Sequence, residues 1–193
     1  ELGGKSPNIV FEDADFEAAA LGVIAGIFAA TGQTCIAGSR LILQRSIHDK
    51  FMERLLDVAG KAKMGDPLQP STDVGPVATK PQYEKVLSYI DIAKKEGARC
   101  VLGGGASSVP GATGNQFVAP TIFTGVNTRM RIAQEEVFGP VLAVIPFDTE
   151  EEAYTIANDT AYGLGAGVGT KDMGKAFRAS ERLESGTVWV NTY

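Results

Sequence analysis

The chain has 193 residues, 44% of them hydrophobic and 21% charged, which suits one globular unit whose core needs no disulfide or metal. Its net charge of −5 is modest and its Lys and Arg residues are scattered, which argues against nucleic acid or an anionic membrane as partner. No apolar run reaches the ~18 residues of a membrane span, and two cysteines with one histidine are too few for a disulfide framework or a four-ligand thiolate and imidazole site.

With no signal peptide in view, the expected setting is a reducing cytoplasm. Asp13 or Asp15 caps the first predicted helix, an Ala- and Gly-rich stretch read as buried, running to about Ala30 with Glu17 in its first turn. RLILQ (40–44) alternates as a strand does. Behind Ser46, Ile47, Phe51, Leu55, Val58 and Ala62 recur at helical spacing. GDPLQPSTDVGP (65–76) is a loop of turn formers, and a third helix runs from Pro81, an allowed first-turn residue, to a terminating Gly97. ARCVLGG reads as a short buried strand and GGGASSVPGATGN (103–115) as a surface loop. FVAPTIF is a strand whose Pro places it at an edge or a bulge. VLAVIPF (141–147), GLGAGVGT (163–170) and GTVWVN (186–191) complete the strands, separated by helices from about Thr149 to Asn158 and Asp172 to Leu183. This alternation predicts parallel βαβ units in an α/β sheet. Ligands of such sheets gather beyond the carboxyl ends of the strands.

Three glycine-rich stretches invite a phosphate reading and do not support it. ELGGKS (1–6) lacks the earlier glycine and the preceding strand of a P-loop. GLGAGVGT fits the dinucleotide fingerprint in no frame that opens a helix, so a strand with small residues where something packs closely is the better reading. The GGG at 103–105 is a turn. Cys100, inside an apolar run, is a small hydrophobe. His48 lies on the polar side of its helix, and the strand before it carries it away from the other thiol.

That thiol, Cys35, sits in FAATGQTCIAGSR among Gly32, Gln33, Thr34, Ala37 and Gly38. Small neighbours leave room for a substrate, and glycine lets backbone N–H groups turn toward an oxyanion. The residues alone leave nucleophile and structural thiol both open. Glu1, before Gly-Gly, is open to two readings as well, a movable base or an exposed carboxylate at the chain end. In EEVFGPV (135–141), the paired carboxylates form either a solvated turn or a grip on ribose hydroxyls, with Phe138 packed on a heterocycle.

Taken together, ELGGKSP, FAATGQTCIAGS and EEVFGPV resemble the glutamate, cysteine and cofactor-contacting motifs of the aldehyde dehydrogenase superfamily, of the non-acylating, nicotinamide-using kind. VGPVATKPQYEKVLSYI and GTVWVN match too, so the resemblance covers essentially the whole chain. It implies a three-layer α/β fold, with a mostly parallel sheet and helices on both faces, as the catalytic domain over residues 1–193. The family's dinucleotide-binding domain, oxyanion-hole asparagine and oligomerisation segment are not among these residues.

The same resemblance makes Cys35 the nucleophile and Glu1 the general base that activates water. Glu136 would hold ribose hydroxyls, Phe138 would pack near the nicotinamide, and Gln82, with Lys85 one turn on, would sit near the cofactor. Thr34 and Ile36 would help line the aldehyde pocket. The implied cofactor is NAD or NADP, with NAD favoured, and the implied partner is a small aldehyde, in a parent that is a homodimer or homotetramer. The 193 residues alone would oxidise aldehydes negligibly. A non-catalytic interaction domain and a cofactor-independent thiol esterase are the competing classes.

Overall fold

The structure, a computed structural model, describes residues 2–112, 114 and 116–193. In chain order the elements are β1 (Pro7–Val10), α1 (Phe16–Phe28), β2 (Arg40–Gln44), α2 (His48–Ala59), α3 (Lys80–Lys95) and β3 (Arg99–Leu102). There follow β4 (Ala106–Ser107), β5 (Phe117–Val118), β6 (Thr121–Thr124), α4 (Arg131–Gln134) and β7 (Val141–Phe147). The last four are α5 (Glu150–Asn158), β8 (Gly165–Gly169), α6 (Met173–Arg182) and β9 (Thr187–Val190).

Seven strands form one sheet in the order β3-β6-β7-β2-β1-β8-β9. Every pairing is parallel except β3 with β6, which is antiparallel and carries a bulge between Cys100 and Leu102. Neighbouring residues of a strand point to opposite faces, and the core divides accordingly. Ile9, Ile42, Phe123, Ile145 and Val168 face α3, α5 and α6 through Val86, Ile90, Ala153, Ile156 and Ala179. Val10, Leu41, Leu43, Leu142 and Val144 face α1 and α2 through Val23, Ile27, Phe51 and Leu55. The outcome is the three-layer, mostly parallel architecture expected.

Helix ends follow local chemistry. Asp15, not Asp13, caps α1 by accepting the Ala18 N–H, and Thr79 and Thr149 do the same for α3 and α5. Asp13 instead accepts from the Thr170 hydroxyl and the Lys171 and Asp172 N–H groups, tying α1's entry to the end of β8.

Five expectations change, the first at β3, expected to be buried and found at the sheet edge with none of its four residues buried. The strand β1 lies where no element was read, although it sits at the centre between β2 and β8. Its four residues are buried on both faces, so they lack the alternation that marks a half-exposed strand, and Pro7 at its first position is tolerated there. FVAPTIF is two strands: β5 pairs with β4 in a separate ribbon, while β6 is internal, between β3 and β7. Pro120 therefore separates the two rather than marking an edge, and β4 lies inside the stretch read as loop. Finally, α1 is buried on one face only, since Leu21 is 53% exposed.

Candidate active site

The cysteine loop begins where α1 stops. After Phe28 the chain enters the left-handed region at Ala30 (φ 49°), Thr31 (φ 58°) and Gly32 (φ 66°). Two consecutive non-glycine residues there cost ~1–3 kcal/mol each and mark a conformation over-determined by its surroundings. Those surroundings are visible. The Thr31 hydroxyl donates to Gly75 O at 3.1 Å, and Gln33 Oε1 accepts the Ala78 N–H at 2.8 Å. A Cβ on Gly32 would fall 2.1 Å from Gly139 O, so only glycine fits between these two loops. Beyond the bend Cys35 is a free, half-buried thiol. Among the described residues no acceptor takes its N–H.

Against this loop lies the segment that leads into β1. A Cβ on Gly4 would stand 1.9 Å from the Cys35 carbonyl oxygen, so the two backbones touch with no side chain between them. The Gly4 N–H donates to Glu136 Oε1 at 2.8 Å, and the other Glu136 oxygen lies over Gly3. Glu1 lies outside the described residues. Leu2, the next residue, lines the cleft.

The third contributor, the stretch from Glu135 to Pro140, resolves the paired carboxylates. Glu135 turns away from the cleft and is gripped by Arg131 at 2.7 and 2.8 Å and by the Tyr89 hydroxyl. The Arg131 guanidinium, then the Tyr89 hydrogen bond, pulls its carboxyl down to about 2. Glu136 faces the cleft. Phe138 holds φ at 57°, a strained value for a bulky residue. Gln82 stabilises that turn, because its Nε2 donates to Val137 O at 2.9 Å and Phe138 O at 2.8 Å.

Cys35, Gln82, Lys85, Glu136 and Phe138, with Leu2 and Gly3, line one cleft of about 390 Å³. Five residues expected to act together are thus brought together, from segments more than 100 positions apart in sequence. Gln82 departs from expectation in one respect: both amide hydrogens are committed to the loop backbone, so it holds Phe138 in place. Thr34 and Ile36 flank the thiol, each half-buried, but do not line this cleft. Cys100 donates its S–H to Leu102 O within β3. His48 pairs with Asp49 beyond the carboxyl end of β2, whereas Cys35 precedes its amino end.

The cleft's position is a correction. Leu2–Gly3, Cys35 and Glu136–Phe138 all precede strands, so the site gathers at the amino ends of β1, β2 and β7. At the carboxyl ends the turns are tied to one another, through Glu12 N–H to Gln44 Oε1, Ser46 to Glu12, and Arg45 to Asp148. The cleft opens among the long approach segments at the amino ends.

Two buried cations beneath the cleft went unread. Arg40, fully buried, donates to Lys5 O, Ile156 O and Ala157 O, neutralising the carboxyl end of α5. Lys5 is 1% exposed, and its Nζ has no hydrogen-bond partner among the described residues. Burial first and Arg40 second push its amine down to about 7, against the pull of Glu136 and Glu135. The only sequence signal was a Lys and an Arg set in apolar or glycine-rich runs. An unfolded Lys keeps its proton to about 10.5. Between about pH 7 and 10.5 unfolding therefore takes up a proton, and stability rises with pH; below 7 the buried charge is present in full. Lys5→Met is expected to stabilise the chain by ~1–4 kcal/mol at pH 6 and to remove that rise, as read by urea unfolding across pH.

Among the described residues no helix is long and apolar enough to cross a membrane, and no group of three or more His, Cys, Asp or Glu is placed to hold a metal. The sequence profile of the aldehyde dehydrogenase family matches residues 1–193. A betaine aldehyde dehydrogenase of Mesorhizobium japonicum is 51% identical over all 193 residues, which span 40% of that protein. Among solved structures, a betaine aldehyde dehydrogenase of Staphylococcus aureus in complex with NAD+ superposes with a TM-score of 0.97 at 47% identity, over 100% of this chain and 38% of that one. An indole-3-acetaldehyde dehydrogenase complexed with NAD+ gives 0.94 at 51% identity, over 99% of this chain and 38% of that one. The chain thus spans about 40% of the length of the relatives it matches. With one family profile running its whole length, and the fold reproduced by solved members, the chain belongs to the aldehyde dehydrogenase family.

Proposed function

We propose that residues 1–193 are the cysteine-bearing catalytic portion of an enzyme that oxidises an aldehyde to a carboxylic acid with a nicotinamide cofactor, NAD in preference to NADP. The observation that carries this reading is the single cleft into which Cys35, Glu136 and Phe138 converge. The donor set fits a nicotinamide riboside. Glu136 uses one oxygen on Gly4 and keeps lone pairs for ribose hydroxyls, and Phe138 presents its ring from a backbone turn that Gln82 holds. The solved relatives described with NAD+ support the choice of cofactor. Relatives of similar identity are named for a quaternary ammonium aldehyde and for an aryl acetaldehyde, so the substrate is proposed as a class.

When bound, the nicotinamide supplies the hydride acceptor. The Cys35 sulfur adds to the aldehyde carbon, and the Cys35 N–H donates to the oxyanion of the resulting thiohemiacetal. Loss of the aldehydic hydrogen as hydride leaves an acyl thioester on Cys35. Glu1 takes a proton from water, the hydroxide displaces the thiolate, and the acid leaves.

The test uses the full-length protein. Glu1→Gln, incubated with aldehyde and NAD, is expected to release about one equivalent of NADH per site and then stall, with the acyl group found on Cys35 by intact and peptide mass spectrometry. Steady turnover with no adduct on Cys35 would sink the proposal.

A further inference from the structure

We infer that Tyr193 is a positioning residue for the Cys35 loop, an inference that rests on the functional reading above. Its hydroxyl donates to Ile36 O at 2.7 Å, across 157 positions of sequence. No other donor among the described residues reaches that carbonyl.

The ring lies in a slot made for it. Added Cβ atoms on Gly26 of α1, Gly38 of the cysteine loop and Gly167 of β8 would fall 2.9, 3.0 and 2.5 Å from Tyr193 ring atoms. Trp189 packs beside it with ring centroids 5.3 Å apart and fills the space over Gly165. Gly165 and Gly167 of the GLGAGVG stretch are thereby explained: they admit two aromatic rings. Gly38, which closes one wall, donates its N–H to Gly26 O at 2.9 Å.

The peptide after the nucleophile is thus held from the segment that follows β9, while Gly4 packs against the Cys35 carbonyl from the other side. Burial holds the phenol protonated well above its ordinary range, so it remains a donor throughout neutral pH. Its loss would strand a carbonyl one residue from the sulfur, and the loop would have to move to re-satisfy it.

Tyr193→Phe in the full-length protein keeps the ring and removes only the donor. Exchange of the Ala37 and Gly38 amides is expected to quicken about tenfold while other amides hold their rates. In the same variant kcat is expected to fall about tenfold, with KM for aldehyde within about twofold and Tm little changed. A merely space-filling ring would leave both readings at wild-type values. Should the Phe variant not fold, Gly167→Ala displaces the ring from the β8 side without touching the loop, and the same two changes are expected. Unchanged exchange overturns the anchor, and faster exchange with unchanged kcat overturns the positioning role. A wild-type protein that oxidises no aldehyde removes the functional reading instead, and with it the positioning role, while the exchange measurement still decides the anchor.

Discussion

Cys35→Ser in the full-length protein is expected to lower kcat/KM for aldehyde oxidation by roughly 10³-fold or more while leaving the fold intact. Oxygen fits where sulfur fitted, and the loop around position 35 is held by Thr31, Gln33, Gly4 and Tyr193, none of which touches the sulfur through a hydrogen bond. The loss is therefore chemical. A serine hydroxyl gives up its proton far less readily than a thiol, and an ester is a poorer acyl donor to water than a thioester. Steady-state kinetics, paired with thermal unfolding of both proteins, separates lost chemistry from lost structure. Retention of more than about a tenth of wild-type turnover would remove Cys35 from the nucleophile's role. Labelling with iodoacetamide, read by peptide mass spectrometry over residues 1–193, supplies an independent check, since in this stretch the variant keeps Cys100 alone, packed against Gly104 and bonded to Leu102 O.

How much of this was legible follows from what each residue depends on. The helices α2 and α3 announce themselves because their buried residues, Phe51, Met52 and Leu55 in one and Val86, Ile90 and Ala93 in the other, recur at helical spacing. The strand β7 is seven residues of nearly unbroken burial, long enough to read. The equally central β1 is four residues opened by Pro7, below the length at which burial on both faces differs from an apolar accident. At the site, residue chemistry alone left Cys35 between nucleophile and packing, and the family motifs rather than spacing pointed to Glu136 and Phe138. Locally, only an arginine four residues before Glu135 separates it from Glu136. Their fates diverge because Arg131, four residues back on α4, and Tyr89 on α3 capture the first. The amino-end location of the cleft, the buried Lys5 and the reach of Tyr193 to Ile36 all depend on which segments the sheet order brings together, and no window of sequence contains that.

Gly4→Ala is expected to be among the most damaging single methyls that can be added near the site. The new Cβ would lie 1.9 Å from the Cys35 carbonyl oxygen and 3.1 Å from its carbon. Both are backbone atoms, so no side chain can swing aside, and the entry to β1 and the cysteine loop must part by about 1 Å. A shift of ~1 Å at reacting groups costs on the order of 10²-fold in rate, and forced repacking of this kind costs ~1–3 kcal/mol of stability. The displacement also stretches the Gly4 N–H bond to Glu136, so the ribose grip and the nucleophile are disturbed together. Gly3→Ala is milder, because the atoms it meets at 3.0 and 3.1 Å are the Tyr162 ring edge and a flexible carboxylate. Gly22→Ala, on α1 with nothing within 4 Å, adds ~0.5–1 kcal/mol of helix stability and serves as the control. The expected order of damage in kcat/KM and in unfolding free energy is Gly4 far above Gly3, with Gly22 neutral or stabilising. If Gly4→Ala matched Gly22→Ala in both measurements, the contact between these two backbones would not be what sets the cysteine in place.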